Sequence, residues 1–94
     1  MPELIGSLGE LQRRIAYPEK ARMAGIDGLV VVQFIVNKKG EVEDPNVIRG
    51  IGGDCDEEAL RVVRTAKFIP GKQRGEPVRV RYSVPIFYIL KDKN

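Results

Sequence analysis

Residues 28–36 read Gly28-Leu29-Val30-Val31-Val32-Gln33-Phe34-Ile35-Val36, and residues 37–40 read Asn37-Lys38-Lys39-Gly40. The first run is rich in β-branched side chains, and from Leu29 to Val36 it holds neither proline nor glycine. That predicts a strand able to bond on both sides and so to sit at the centre of a sheet. The second run has the pattern of a type I turn with Gly40 in the left-handed position, a common longer hairpin loop. Glu41 to Arg49 is then the returning strand. Its Pro45 assigns it to an edge. Val42 and Val47 have opposite parity, so a strict alternation would split them between two faces. A bulge near Asp44-Pro45 returns both to the core side.

Toward the C-terminus, Gly50-Ile51-Gly52-Gly53 is a loop and residues 55–66 have helical spacing, with Ala59, Leu60, Val63 and Ala66 on one face. Asp54 and Glu57 resemble a capping box for that helix. Phe68-Ile69-Pro70-Gly71 ends the element and Lys72 to Glu76 reads as a polar loop. Pro77 to Leu90 is a long strand. Val78, Val80, Tyr82, Val84, Ile86 and Tyr88 share one face, while Arg79, Arg81 and Ser83 take the other. Pro85 assigns this strand, too, to an edge. The prolines thereby set the order second, first, third.

Toward the N-terminus, Ser7 and Glu10 form a capping box for a short helix over residues 8–15, with Leu8, Leu11 and Ile15 on one face. Tyr17-Pro18 ends it, because a residue before proline avoids the α region. Pro18 is suited to the first position of a second short helix, running to Ala24, which Gly25 closes in the left-handed conformation. The expected fold class is α+β. It is a β-β-α-β unit with a three-stranded antiparallel sheet in the order 2-1-3, one helix packed on one face, and two short N-terminal helices. No internal repeat, low-complexity tract or domain boundary is evident, so residues 1–94 read as a single domain.

Composition removes whole classes of function. With 43% hydrophobic and 31% charged residues, the chain reads as a folded soluble domain rather than a disordered one. No histidine is present, which removes the usual general base, the Ser-His-Asp and Cys-His pairs, and the commonest metal ligand. The single Cys55 excludes an internal disulfide and a thiolate metal site. Asp54, Asp56, Glu57 and Glu58 crowd the start of the helix, where carboxylates serve as caps against the helix dipole rather than as a cation site. The same charges oppose a phosphate at Gly50-Ile51-Gly52-Gly53, and they work against a reactive Cys55 thiolate. The net charge of +3 is mild. Arg79 and Arg81, with Lys72 and Arg74 nearby, have no interleaved aromatic before Phe87, and no recognition helix accompanies them, so nucleic acid is not an expected partner. No apolar run approaches the roughly 18–20 residues of a membrane span, so this chain does not insert directly. Its N-terminus lacks the basic and apolar segments of a signal peptide. The expectation is a binding module, with no catalytic residue, cofactor or metal.

Several pieces, taken in order, carry a family resemblance. They are Tyr17-Pro18-Glu19-Lys20-Ala21-Arg22, Gly25-Ile26-Asp27-Gly28, the alternation Val30, Val32, Phe34, Val36, then Gly40-Glu41-Val42, Asp56-Glu57-Glu58-Ala59-Leu60 and Phe68-Ile69-Pro70-Gly71. Over about residues 7–90 the chain resembles the C-terminal domain of TonB-type energy transducers. The resemblance implies a periplasmic domain, anchored in the inner membrane through an N-terminal helix and a proline-rich spacer that this sequence does not contain. It implies inner-membrane motor proteins as partners through that missing part. It also implies binding of the N-terminal TonB-box segment of TonB-dependent outer-membrane transporters, added as a strand beside the last β-strand. The residues expected to carry that docking are Val78, Arg79, Val80, Arg81, Tyr82, Ser83 and Val84, with Tyr17 and Pro18 as further candidate contacts. Related domains also end some membrane-bound sensors, so a homodimeric interaction module is the alternative. The stretch before Tyr17 reads Arg14-Ile15-Ala16, unlike the glutamine-rich stretch of some transducers, and no contact is carried over to it.

Overall fold

The structure is a computed structural model describing residues 3–6 and 8–90, and of Glu3 only the backbone. In chain order the elements are β1 (Glu3–Leu4), α1 (Leu8–Arg13), α2 (Glu19–Ala24), β2 (Gly28–Val36), β3 (Val42–Arg49), α3 (Cys55–Arg64), β4 (Phe68–Ile69), β5 (Gly71–Gln73), β6 (Glu76–Val78) and β7 (Val80–Tyr88). The principal sheet is antiparallel with β2 at its centre, in the order β3-β2-β7. This is the order the prolines imply, with both proline-bearing strands flanking the strand that has none.

Alternation along β2 explains the layers. Val30, Val32, Phe34 and Val36 are buried, while Leu29, Val31, Gln33 and Ile35 are only partly covered. The buried row meets α3, which turns Cys55, Ala59, Val62 and Val63 inward. Leu60 is only partly buried, so the inward face of the helix is centred one residue away from the expected row. β7 adds Val84, Ile86 and Tyr88 to the same layer. At one end of the core the rings of Phe34, Phe68 and Tyr82 meet with centroids 5.4–6.0 Å apart, a spacing typical of edge-to-face packing.

The expected bulge is present. Gln33 pairs with Asn46 but Ile35 pairs with Glu43, so one extra residue is inserted on β3 at Asp44-Pro45, and Asp44 takes φ 52. Val42 then lies opposite Val36, and Val47 opposite Val32, so both face the core. A second register shift leaves Ile48 outside the pairing and exposed. In the hairpin loop Asn37 Oδ1 accepts from the amides of Lys39 and Glu41, and Gly40 adopts φ 84. Gly40 is sterically required as well. A Cβ there would lie 2.0 Å from the Phe68 carbonyl oxygen, and the Phe68 amide donates to the Gly40 carbonyl at 2.9 Å.

Other expectations need correction. Pro18 is the N-cap of α2, extended at ψ 140, with its carbonyl accepting from Arg22; it is not the first helical residue. Gly25 closes α2 at φ 71 as expected. Helix α1 stops at Arg13, and two tighter turns carry the chain through Arg14 and Ile15. Ser7, the expected cap of α1, lies outside the described residues. Asp54 makes no capping bond for α3 because it sits left-handed, at φ 68. Asp56 instead turns back and accepts from the loop amides of Ile51 and Gly52 at 3.0 and 3.4 Å. The presumed loop 72–76 is a tight hairpin of β5 and β6, turning through Arg74 and Gly75, both at positive φ. The long last strand is therefore divided at Arg79. A further small pairing, β1 with β4, was not expected.

Candidate functional site

The site is a sheet edge, so its geometry follows from which backbone groups of β7 face away from β2. In an antiparallel pair the residues alternate between those exchanging hydrogen bonds across the ladder and those whose N–H and C=O point outward. Two observations set the phase. Pro85, opposite Val31, has no N–H to give. Phe87, opposite Leu29, gives its N–H to Gln12 Oε1 at 3.0 Å and accepts from Gln12 Nε2 at 2.7 Å. The odd-numbered residues of β7 therefore face outward. Arg81 and Ser83 each offer a donor and an acceptor, and Pro85 offers an acceptor. Among the described residues no backbone bond to the outward side of Arg81, Ser83 or Pro85 is found.

The candidate residues fall into different roles on this geometry. Val80, Tyr82 and Val84 direct their backbone groups to β2; Val84 is buried in the core, Tyr82 packs against it, and Val80 is partly covered. Val78 belongs to β6 and pairs with Gly71. Arg79 lies between the two strands and reaches Glu43 at 3.0 Å. Arg81, on the exposed face, has no ion-pair partner among the described residues. Tyr17 stacks edge-on against Tyr88, with centroids 5.4 Å apart, and its hydroxyl donates to the Ile26 carbonyl. Burial, followed by the nearby Cys55 and Asp27, raises its phenol above the ordinary value. Pro18 is engaged in starting α2.

Beside the end of β7, Ile15, Tyr17, Phe87 and Ile89 line an open groove of about 380 Å³, with Gln12 at its rim. The segment forming its wall is tied to α3. Glu58 accepts from the Ala16 amide at 2.8 Å and pairs with Arg61 at 2.7 Å, while Arg61 also donates to the Arg14 carbonyl. The hydrogen bond from Arg61 is the main reason the Glu58 carboxyl is held below the usual carboxylate range, aided by the Ala16 amide and opposed by burial. Cys55 is fully buried. Burial first, then Asp56, Asp54 and Glu57, raise its thiol, which is the reverse of activation. Its carbonyl accepts from the Tyr88 hydroxyl at 2.8 Å.

Sequence reading did not single out Gln12. Nothing local connects it with Phe87, which lies 75 residues away. Its neighbours Leu11 and Ile15 pointed to a helix face, but the position of that helix beside β7 is a tertiary outcome.

By architecture the chain falls in the class of small α+β domains with a helix-backed open antiparallel sheet, whose two flanking strands, β3 and β7, have no partner strand on their outer sides among the described residues. Within that class it belongs to the family described as Gram-negative bacterial TonB protein C-terminal, which it matches over residues 13–90. It is 34% identical over 77 residues to a protein TonB of Helicobacter pylori, a match covering 81% of this chain and 26% of that protein. It is 30% identical over 76 residues to protein TonB of Vibrio cholerae, covering 80% of this chain and 31% of that one. The chain thus spans between a quarter and a third of these relatives. A solution structure of the Helicobacter pylori TonB C-terminal domain superposes with a TM-score of 0.64 at 30% identity, covering 92% of this chain and 96% of that one. The Pseudomonas aeruginosa TonB C-terminal domain shares the fold, with a TM-score of 0.70 at 19% identity, over 99% of this chain and 90% of that one.

Proposed function

We propose that this chain is the periplasmic adaptor domain of an energy transducer, and that it captures the N-terminal segment of an outer-membrane transporter as a strand added outside β7. The observation carrying this reading is the outward row at Arg81, Ser83 and Pro85, unpaired by backbone among the described residues. An exposed edge of this kind is completed by an extended segment of another chain. Membership of the TonB C-terminal family supports the same role. The domain acts here as a handle rather than a catalyst. Its anchor in the inner membrane and its contact with a motor belong to segments outside this sequence.

Five outward groups are on offer: two each from Arg81 and Ser83 and one from Pro85. At a net of about 0.5–1.5 kcal/mol per bond, less the cost of ordering the peptide, backbone pairing alone gives an affinity of roughly millimolar order, no tighter than several micromolar at most. Binding that weak is readily reversible. Backbone pairing also tolerates varied partner sequences, which suits one adaptor serving several transporters. Arg81 adds attraction for an acidic residue of the partner. The groove beside Tyr17 offers a seat for one apolar side chain.

The test is an NMR titration with short peptides from the N-terminal segments of the source bacterium's transporters. The expected result is a change at the amides of Arg81 and Ser83. Shifts confined to the helices, or none at millimolar peptide, would refute the reading. Sedimentation at several concentrations checks for a second copy on the same edge. A tight dimer that ignores peptide would replace the adaptor role with a self-association module.

A further inference from the structure

We propose that Gln12 is a built-in stop, ending the docking ladder of β7 at Pro85 and so setting the register of the visiting strand. This rests on reading β7 as a strand-accepting edge. A primary carboxamide can present one of its N–H groups and its C=O on the same side, as a single residue of a β-strand does with its own N–H and C=O. The Gln12 amide uses both on the two outward groups of Phe87, at 2.7 and 3.0 Å. It therefore fills the rung that the next residue of a visiting strand would take.

The side chain is held there by its surroundings. Leu11, its neighbour on α1, is buried in the core. The chain just beyond is tied to α3 by the bond from the Ala16 amide to Glu58. A visiting residue opposite Phe87 would win two hydrogen bonds only by releasing two of the same kind. It would still bear the entropy of being ordered, which disfavours that extra rung about tenfold. The preceding outward position is Pro85, which offers an acceptor and no donor, so the ladder is already weak where Gln12 closes it. Pairing is thereby concentrated on Arg81 and Ser83. A partner residue arriving at the stop is delivered beside the groove of Ile15, Tyr17 and Ile89.

The experiment compares wild type with Gln12→Ala and Gln12→Glu. In the free wild-type protein the Phe87 amide should exchange at least tenfold more slowly than the outward amides of Arg81 and Ser83. Gln12→Ala should remove that difference. Gln12→Glu keeps an acceptor and should retain most of the protection, which separates loss of the bond from loss of the fold. Each protein is then titrated with the transporter peptides described above. In wild type the footprint should end before Phe87. In Gln12→Ala it should extend to Phe87, with Kd lowered roughly three- to tenfold for peptides long enough to reach it and unchanged for shortened ones. A wild-type footprint that includes Phe87, an unchanged footprint in Gln12→Ala, or a freely exchanging Phe87 amide would overturn the stop. Absence of any shift at Arg81 and Ser83 would overturn the docking reading and the stop with it; an intact Phe87 protection in that case locates the failure in docking rather than in the Gln12 bond.

Discussion

Replacing Ser83 by proline isolates the outward edge from the fold that supports it. Ser83 lies opposite Gln33 and its N–H faces away from β2, so its loss removes no bond from the central ladder. Pro85, two residues on, already occupies an equivalent position. The variant should therefore lose no more than about 1–2 kcal/mol of stability, chiefly through backbone restriction. Binding should suffer more. One of five outward groups disappears, and the ring projects into the space of the incoming strand, disturbing the adjacent rung. A loss of one to two bonds corresponds to about 1–3 kcal/mol, or roughly a five- to 150-fold rise in Kd. The control is Val84→Pro. The Val84 N–H belongs to the ladder with β2 opposite Val32, so this change should cost about 3 kcal/mol or more. Urea denaturation gives the stabilities and amide shift titration gives the affinities. If Ser83→Pro unfolds as readily as Val84→Pro, or binds peptide within twofold of wild type, the assignment of inward and outward groups is wrong.

Gly40→Ala should destabilise by about 2–4 kcal/mol, because its Cβ would press on the Phe68 carbonyl at a positive φ; thermal melting checks this, and a loss under 1 kcal/mol would contradict it. Glu58→Gln should cost about 1–3 kcal/mol at neutral pH through the weakened Arg61 and Ala16 contacts. Because the folded Glu58 carboxyl is depressed, its contribution is present above the unfolded value near 4.3 and lost as pH falls through the lower folded value. The gap between wild type and Glu58→Gln in denaturant titrations should therefore be constant above about pH 5 and narrow on acidification below about 4. Cys55, buried and with its thiol raised, should react with a disulfide reagent at neutral pH only at the rate of unfolding; rapid labelling of native protein would contradict its burial.

What could be read in the sequence was whatever depends on local pattern. The uninterrupted β-branched run of β2 and the prolines in β3 and β7 gave strand order, and the parity of Val42 and Val47 gave the bulge. The Asn37–Gly40 turn followed from turn chemistry. What escaped depended on distant neighbours or on a competing local bond. Glu3–Leu4 is too short to signal a strand and is one only because it meets Phe68–Ile69. Asp54 had the composition of a cap, but the left-handed backbone left Asp56 to serve the loop instead. Lys72–Glu76 looked polar and irregular because residues 72–77, which make up the turn and most of both strands, are exposed, so no apolar alternation marks them. At the candidate site, alternation in β7 was legible and Pro85, lacking an N–H, marks the outward phase of its backbone, but the Gln12 partner of Phe87 is a tertiary contact that no local pattern signals.

The stitching of the N-terminal stretch has a mechanical consequence. Residues 3–5 are fastened to 67–69, residues 14–16 to α3, and Tyr17 to Tyr88, in that order along the chain. A stretching force applied at the N-terminal end meets these fastenings in series, so it should peel them one after another before the sheet feels the load. Because Gly28 lies opposite Tyr88, the chain enters β2 and leaves β7 at the same end of the pair, so a pull between the termini would then unzip the long registry of β2 with β7 rung by rung rather than shear it. In a single-molecule trace pulled between the termini the domain should lengthen at low force throughout, with no high-force rip from the sheet.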